Sequence, residues 1–172
     1  MTAGRLAIEH AAFDSPVARP LVAALMADLD ERYAADGVGV GDDPATVAHF
    51  AVRAEQVTPP AGVFLVARLD GAPAGCSAVR RLVGGPPDVG EIKRMYTAPF
   101  ARRRGVSRAL LTRLEHEAVE LGLRSLQLET GDRQPEAIAL YEAAGYRRIP
   151  PYGQYAGDEL SVCFAKTLAP GA

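Results

Sequence analysis

The stretch "APFARRRGVSRALL" (Ala98–Leu111) sets three consecutive arginines, a glycine and a serine directly ahead of an apolar run. The run continues to Gly122, with Val106, Leu110, Leu114, Ala118 and Leu121 recurring on one face and the glycine as a stop. A helix is therefore expected from about Val106. Its first amides lack helical partners and lie at the positive end of its dipole, which suits them to an anion such as phosphate. Gly105 lets a ligand approach the backbone, small Ser107 does not block it, and Arg102, Arg103, Arg104 and Arg108 add charge. Two familiar phosphate loops are excluded. The stretch has no Gly-Lys-Ser/Thr, and Gly105 is the only glycine where a dinucleotide fingerprint needs three. Composition alone leaves a solvated basic turn as an equal reading.

Outward from this stretch the chain punctuates itself. Before it, "GVFLVARL" (62–69) and "APAGCSAVRRL" (72–82) flank Asp70-Gly71, a hairpin signal because both turn positions need positive φ. "GGPPD" (84–88) then separates a third strand, "VGEIKRMYT" (89–97). Upstream, "RLAIEH" (5–10) alternates as a first strand. "FDSPVARPLVAALMADLDERY" follows as a helix with Ser15 as cap and Pro16 inside it. "DDPATVAHFAVRAE" (42–55) repeats the device with Asp43 and Pro44. Downstream come a strand "RSLQLET" (124–130), a helix "QPEAIALYEAAG" (134–145), and two strands, "YRRI" and "LSVCFAKTL" (160–168).

The order is β-αα-βββ-α-β-α-ββ, an α/β (α+β) mixed sheet in one domain over residues 1–172. The sheet is expected to be mostly antiparallel with one right-handed parallel crossover and helices on both faces. With 172 residues, 48% of them hydrophobic, one sizeable core is within reach.

Charge excludes some functions. Nineteen basic residues against 21 acidic leave a net charge of −2, so the chain is not coated for nucleic acid or an anionic membrane. Cys76 and Cys163 show no metal or disulfide spacing and read as buried thiols. No metal is expected. No apolar run approaches the roughly 18 residues that span a bilayer. The N-terminus lacks the apolar stretch of a signal peptide, so a cytoplasmic location is the expectation.

Two blocks carry a resemblance. "RRRGVSRALL" is similar to the R/Q-x-x-G-x-G/A loop and following helix of the GNAT superfamily of acyl-CoA-dependent N-acyltransferases. "EAIALYEAAGYRRI" (136–149) resembles that superfamily's second block, a tyrosine-bearing helix followed by Gly-Tyr and a strand. The likeness covers residues 89 to about 168; the first 60 residues fit only by element order. It implies a GNAT-like fold with acetyl-CoA as co-substrate, its pyrophosphate on the amides of Arg103, Arg104, Gly105, Val106, Ser107 and Arg108. It also implies that strand backbone at Met95, Tyr96 and Thr97 pairs with the pantetheine arm. Ser107 stands where the family has glycine or alanine, and Gln134 where asparagine is common before the second helix.

The resemblance implies acetyl transfer to a primary amine of a small molecule or peptide. Tyr141 is the expected proton donor to the leaving thiolate, against a reading as a core anchor. Glu91 is a candidate base, a holder of cationic substrate, or half of an ion pair with an arginine or Lys93. Glu129 is structural or substrate-facing. Tyr33, Asp36, Tyr152 and Tyr155 are plausible acceptor walls, with Glu31, Asp42 and Asp43 as acids suited to an amine. A non-catalytic acyl-CoA sensor is the alternative of another class, and a nucleic-acid binder a third. Monomer and homodimer both remain open.

Overall fold

The computed structural model describes residues 4–34 and 51–169. Strand β1 (Leu6–His10) leads into α1 (Ala18–Tyr33). Ser15 does the capping expected of it, one turn earlier than the helix proper. Its carbonyl accepts from Arg19 N–H at 3.1 Å and its hydroxyl from Ala18 N–H at 3.3 Å. Most of the second expected helix, with Asp36, Asp42 and Asp43, lies outside the described residues. Its end, Ala54–Val57, is a short 3-10 turn.

Strands β2 (Gly62–Leu69), β3 (Ala72–Arg81) and β4 (Val89–Thr97) form the expected antiparallel meander. Asp70 and Gly71 turn the hairpin at φ 53° and 84°, as that dipeptide requires. Helix α2 (Val106–Glu120) then crosses over to β5 (Ser125–Gly131), which pairs parallel to β4. After α3 (Pro135–Ala143) the chain ends in β6 (Arg147–Ile149) and β7 (Ser161–Thr167). The seven-stranded sheet runs β1-β2-β3-β4-β5-β7-β6, so the last strand inserts between β5 and β6.

Alternation along the strands sorts residues to two faces, each covered by helix. Val63, Leu65, Val79, Ile92, Leu126, Leu128 and Phe164 pack with Val106, Leu110 and Leu114 of α2 and with Tyr141 of α3. Phe64, Val66, Cys76, Ala78 and Tyr96 pack on the other face with Ala18, Leu21 and Leu25 of α1. Leu110 and Leu114 are fully buried; each such side chain contributes about 1.5–3 kcal/mol. Among the described residues no helix is long and apolar enough to cross a membrane.

One irregularity opens the sheet. Ala78 pairs with Lys93 and Cys76 with Tyr96, so Ser77 opposes two residues, Arg94 and Met95. Arg94 takes up the extra length at φ 59°. At the same level β4 leaves β5: their pairing stops at Ile92 and Leu128, although both strands continue. The splayed ends form a notch between the two helical layers.

Candidate functional site

The arginine stretch folds into the notch's outer lip. Pro99–Ala101 forms a 3-10 turn, and Arg103 and Gly105 follow with φ of 60° and 81°. No side chain caps α2, and its first bond runs from Ala109 N–H to Gly105 O at 3.0 Å. The amides of 106–108 thus begin the helix without partners in it. A Cβ at Gly105 would meet nothing within 4 Å, so the space before these amides is open.

That space is a groove of about 980 Å³, lined by Met95, Tyr96 and Thr97 of β4, by Arg102, Arg103, Gly105, Val106, Ser107 and Arg108, and by Gln134. The arginines divide the work. Arg102 donates to Asp28 of α1 at 3.0 Å and to Thr97 O at 3.3 Å, closing the groove over the strand. Arg104 turns away from the groove toward Asp70, 3.8 Å off. Among the described residues no acid pairs with Arg103 or Arg108, which line the open groove. An uncapped helix start, open space and two unspent cations fit a diphosphate.

The groove runs inward to a second space of about 170 Å³, the two sharing Leu25, Met95, Gln134 and Ala137 as walls. This inner cavity lies where β4 and β5 part. Ile92, Lys93 and Arg94 form one side, Glu129, Thr130 and Gly131 the other, and Tyr141 part of the lining. Tyr33 closes it from α1. Its hydroxyl accepts from Arg133 N–H at 3.2 Å and lies where a side chain at Gly131 would go.

Tyr141 is 4% exposed and stacks edge-on with Tyr146, centroids 5.7 Å apart. Among the described residues nothing hydrogen-bonds its hydroxyl. Burial first, and the Glu129 charge second, push the phenol well above its ordinary pKa. The group stays protonated at any ordinary pH and can donate one hydrogen bond.

Glu91 is placed otherwise. Its side chain is only 3% exposed and does not line the cavity. Oε2 accepts from Arg80 Nη2 at 2.8 Å and Nε at 3.0 Å. Oε1 accepts from the hydroxyls of Tyr152 and Tyr155, both at 3.1 Å. Of its three readings the arrangement supports the ion pair. Tyr152 and Tyr155, expected as acceptor walls, both bond this carboxylate, and neither is among the residues lining the cavity. Their phenols are raised by burial and by Glu91.

Glu129 does face the cavity. It accepts from the Ser161 hydroxyl at 2.9 Å, and desolvation holds its carboxyl above its ordinary 4.5. Raised in the fold, its contribution to stability is full below the unfolded value and lost as pH rises through the folded one. Glu129→Gln is therefore expected to raise the unfolding midpoint at neutral pH and to flatten its decline from pH 5 to 8. Thermal unfolding at both pH values checks this; an unchanged slope would count against the assignment.

Sequence reading missed α1's share: Leu25, Met26 and Leu29 line the cavity. It also missed the Arg94 bulge, for which no glycine or proline gives a signal. Cys76 is buried, its thiol pushed up to about 12 by desolvation.

The sequence pattern of the acetyltransferase (GNAT) family matches residues 23–146. A curated relative, the IAA acetyltransferase of Azospirillum brasilense, is 43% identical over 74 residues, which are 43% of this chain. The match spans about half of that relative, 48% of its length. Among solved structures, a Klebsiella pneumoniae protein described as an acyl-CoA N-acyltransferase is 28% identical with a TM-score of 0.72. The alignment covers 95% of this chain and 98% of that one. A Salmonella typhimurium protein described as an acetyltransferase, solved with its cofactor acetyl-CoA, has the same fold at 18% identity and a TM-score of 0.62. There the coverage is 98% of this chain and 96% of the other.

Proposed function

The chain belongs to the acetyltransferase (GNAT) family, and from that premise we propose that it moves an acetyl group from acetyl-CoA to the primary amine of a small molecule. The observation that carries this reading is the continuity of the two spaces. The basic groove leads straight into a small cavity lined by Tyr141 and Glu129.

The amides of 106–108, with Arg103 and Arg108, would hold the diphosphate, and the backbone of Met95–Thr97 would lie along the arm, as a peptide lies on a sheet edge. Acetyl-CoA supplies an activated thioester whose acyl carbon an amine can attack and whose sulfur then departs. Glu129 takes the proton that a protonated acceptor must lose to become a nucleophile. Its desolvated carboxyl is a stronger base than an exposed one. Tyr141 offers its hydrogen where negative charge develops, and its raised phenol makes it a hydrogen-bond donor rather than a full proton source. A main-chain amide near Met95 serves the oxyanion. Gln134, at the junction of the spaces, positions the incoming arm with its amide. Glu91 belongs to the scaffold behind this wall.

A cavity of about 170 Å³ favours a small acceptor over a peptide. The Tyr141 hydroxyl, without a partner among the described residues, favours turnover over mere sensing, since a sensor has no use for it. The test is calorimetry with coenzyme A, followed by thiol release from acetyl-CoA across a panel of amines. Heat that weakens with added salt, and thiol release with some amine, are expected. Binding without release across the panel would leave the sensor; no heat at all would remove the groove assignment.

A further inference from the structure

Four ionisable groups line the inner cavity, Lys93 and Arg94 against Glu129 and Asp158, and of these Lys93 and Glu129 feel each other's charge without touching. Lys93 stands on the β4 side and Glu129 on the β5 side, yet no ion pair joins them. Lys93 is 8% exposed, and its Nζ donates to the Tyr155 hydroxyl at 2.6 Å. Its nearest carboxylate oxygen, Glu91 Oε1, is 4.0 Å away and already accepts from two tyrosines, while Oε2 holds Arg80. Two buried cations, Arg80 and Lys93, thus share the Glu91 carboxylate, Arg80 through two hydrogen bonds and Lys93 only at 4.0 Å, and the Glu129 charge reaches Lys93 without a direct contact. Glu129 has a hydroxyl from Ser161 as its hydrogen-bond donor and, among the described residues, no cation bonded to it. Asp158 at the rim accepts from Leu160 N–H and lies 3.0 Å from Ser161 Oγ, so the two carboxylates compete for that one hydroxyl proton.

Charges drawn out of water and paired only at a distance are costly, and a ligand bearing both signs would bridge the two. On the transferase reading, the acceptor's amine belongs at Glu129, which leaves an anionic group for Lys93. We propose that the acceptor is a compact amino acid with an apolar side chain, its ammonium held at Glu129 and its carboxylate at Lys93. Leu25, Met26, Leu29 and Leu160 supply apolar lining beside the polar Tyr33, Thr130 and Gln134. A space of about 150 Å³ accommodates a benzene-sized group, so leucine fits where a dipeptide does not. A diamine is disfavoured because its second cation would face Lys93.

The experiment compares leucine with isoamylamine, the same skeleton without the carboxylate, by thiol release at saturating acetyl-CoA. The wild-type protein is expected to prefer leucine in kcat/KM by about 10- to 150-fold, the range of a charge-assisted contact. In Lys93→Met that ratio should fall toward one, and in Lys93→Arg most of it should survive. The change in ratio cancels the difference in amine basicity between the two compounds. Coenzyme A binding by each variant checks that the fold persists. Equal or better use of isoamylamine, with a ratio that Lys93→Met does not move, overturns the proposal and leaves amine acetylation standing. No thiol release with these or any other amine, despite coenzyme A binding, overturns the transferase reading and this proposal with it.

Discussion

Tyr141→Phe should lower kcat for amine acetylation by about 10²- to 10³-fold, the usual cost of removing one preorganised donor. The ring is fixed by the core: it meets Tyr146 edge-on and Phe164 at a tilt, with centroids 5.7 and 6.1 Å away. Phenylalanine keeps both contacts. The hydroxyl it removes bonds to no described residue, so stability should change by less than about 0.5 kcal/mol. Affinity for coenzyme A should also hold, because Tyr141 lines the inner cavity and not the phosphate groove. Lost turnover with intact folding and binding is the signature of a group used only as charge develops. A drop below about fivefold would make Tyr141 a packing residue. Steady-state kinetics, thermal unfolding and calorimetry on one variant decide between the two.

Glu91→Ala should show the reverse pattern, a large loss of stability. The change leaves Arg80 and Lys93, 5% and 8% exposed, facing each other with no carboxylate between them. Arg80 keeps Gln56 Oε1 at 2.8 Å and Ala51 O at 3.3 Å, which are neutral. Tyr152 and Tyr155 lose a charged acceptor. Breaking a buried pair in this way costs about 3–5 kcal/mol, or roughly 10 °C in the midpoint at 2–4 °C per kcal/mol. Glu91→Gln keeps an acceptor oxygen and should cost less. Denaturant unfolding reads both. If Glu91→Ala cost less than about 1 kcal/mol, or if Glu91→Gln abolished turnover in a fully folded protein, the carboxylate would return to the reaction.

The two carboxylates thus separate by surroundings rather than by residue type. Glu91 and Glu129 sit on adjacent strands, at β4 and β5, the first buried and the second half-buried. One is saturated by Arg80 and two phenols, while the other keeps a face toward the cavity. A base needs a free lone pair near the substrate more than it needs a particular place in a motif. The same logic separates the arginines: Arg102 and Arg104 are spent on Asp28 and Asp70, and Arg103 and Arg108 are not.

What the sequence determined by itself was everything set by local chemistry. Helical spacing from Val106 to Leu121, Gly105 before it, Asp70-Gly71 in the hairpin, Ser15 as cap and Tyr141 before Gly145-Tyr146 each act within a few residues. The chain therefore displays them linearly, and element order and family were legible. Pairing across the fold was not. That Arg80 faces Glu91, that Tyr152 and Tyr155 reach back 61 and 64 residues to it, and that Leu25 and Leu29 wall the cavity follow from sheet register and helix docking. The Arg94 bulge was silent too, because its positive φ is imposed by a register mismatch between β3 and β4 rather than requested by glycine. Burial and partnership decide which ionisable group is spent and which is free, and both are properties of the packed molecule, not of any segment in it.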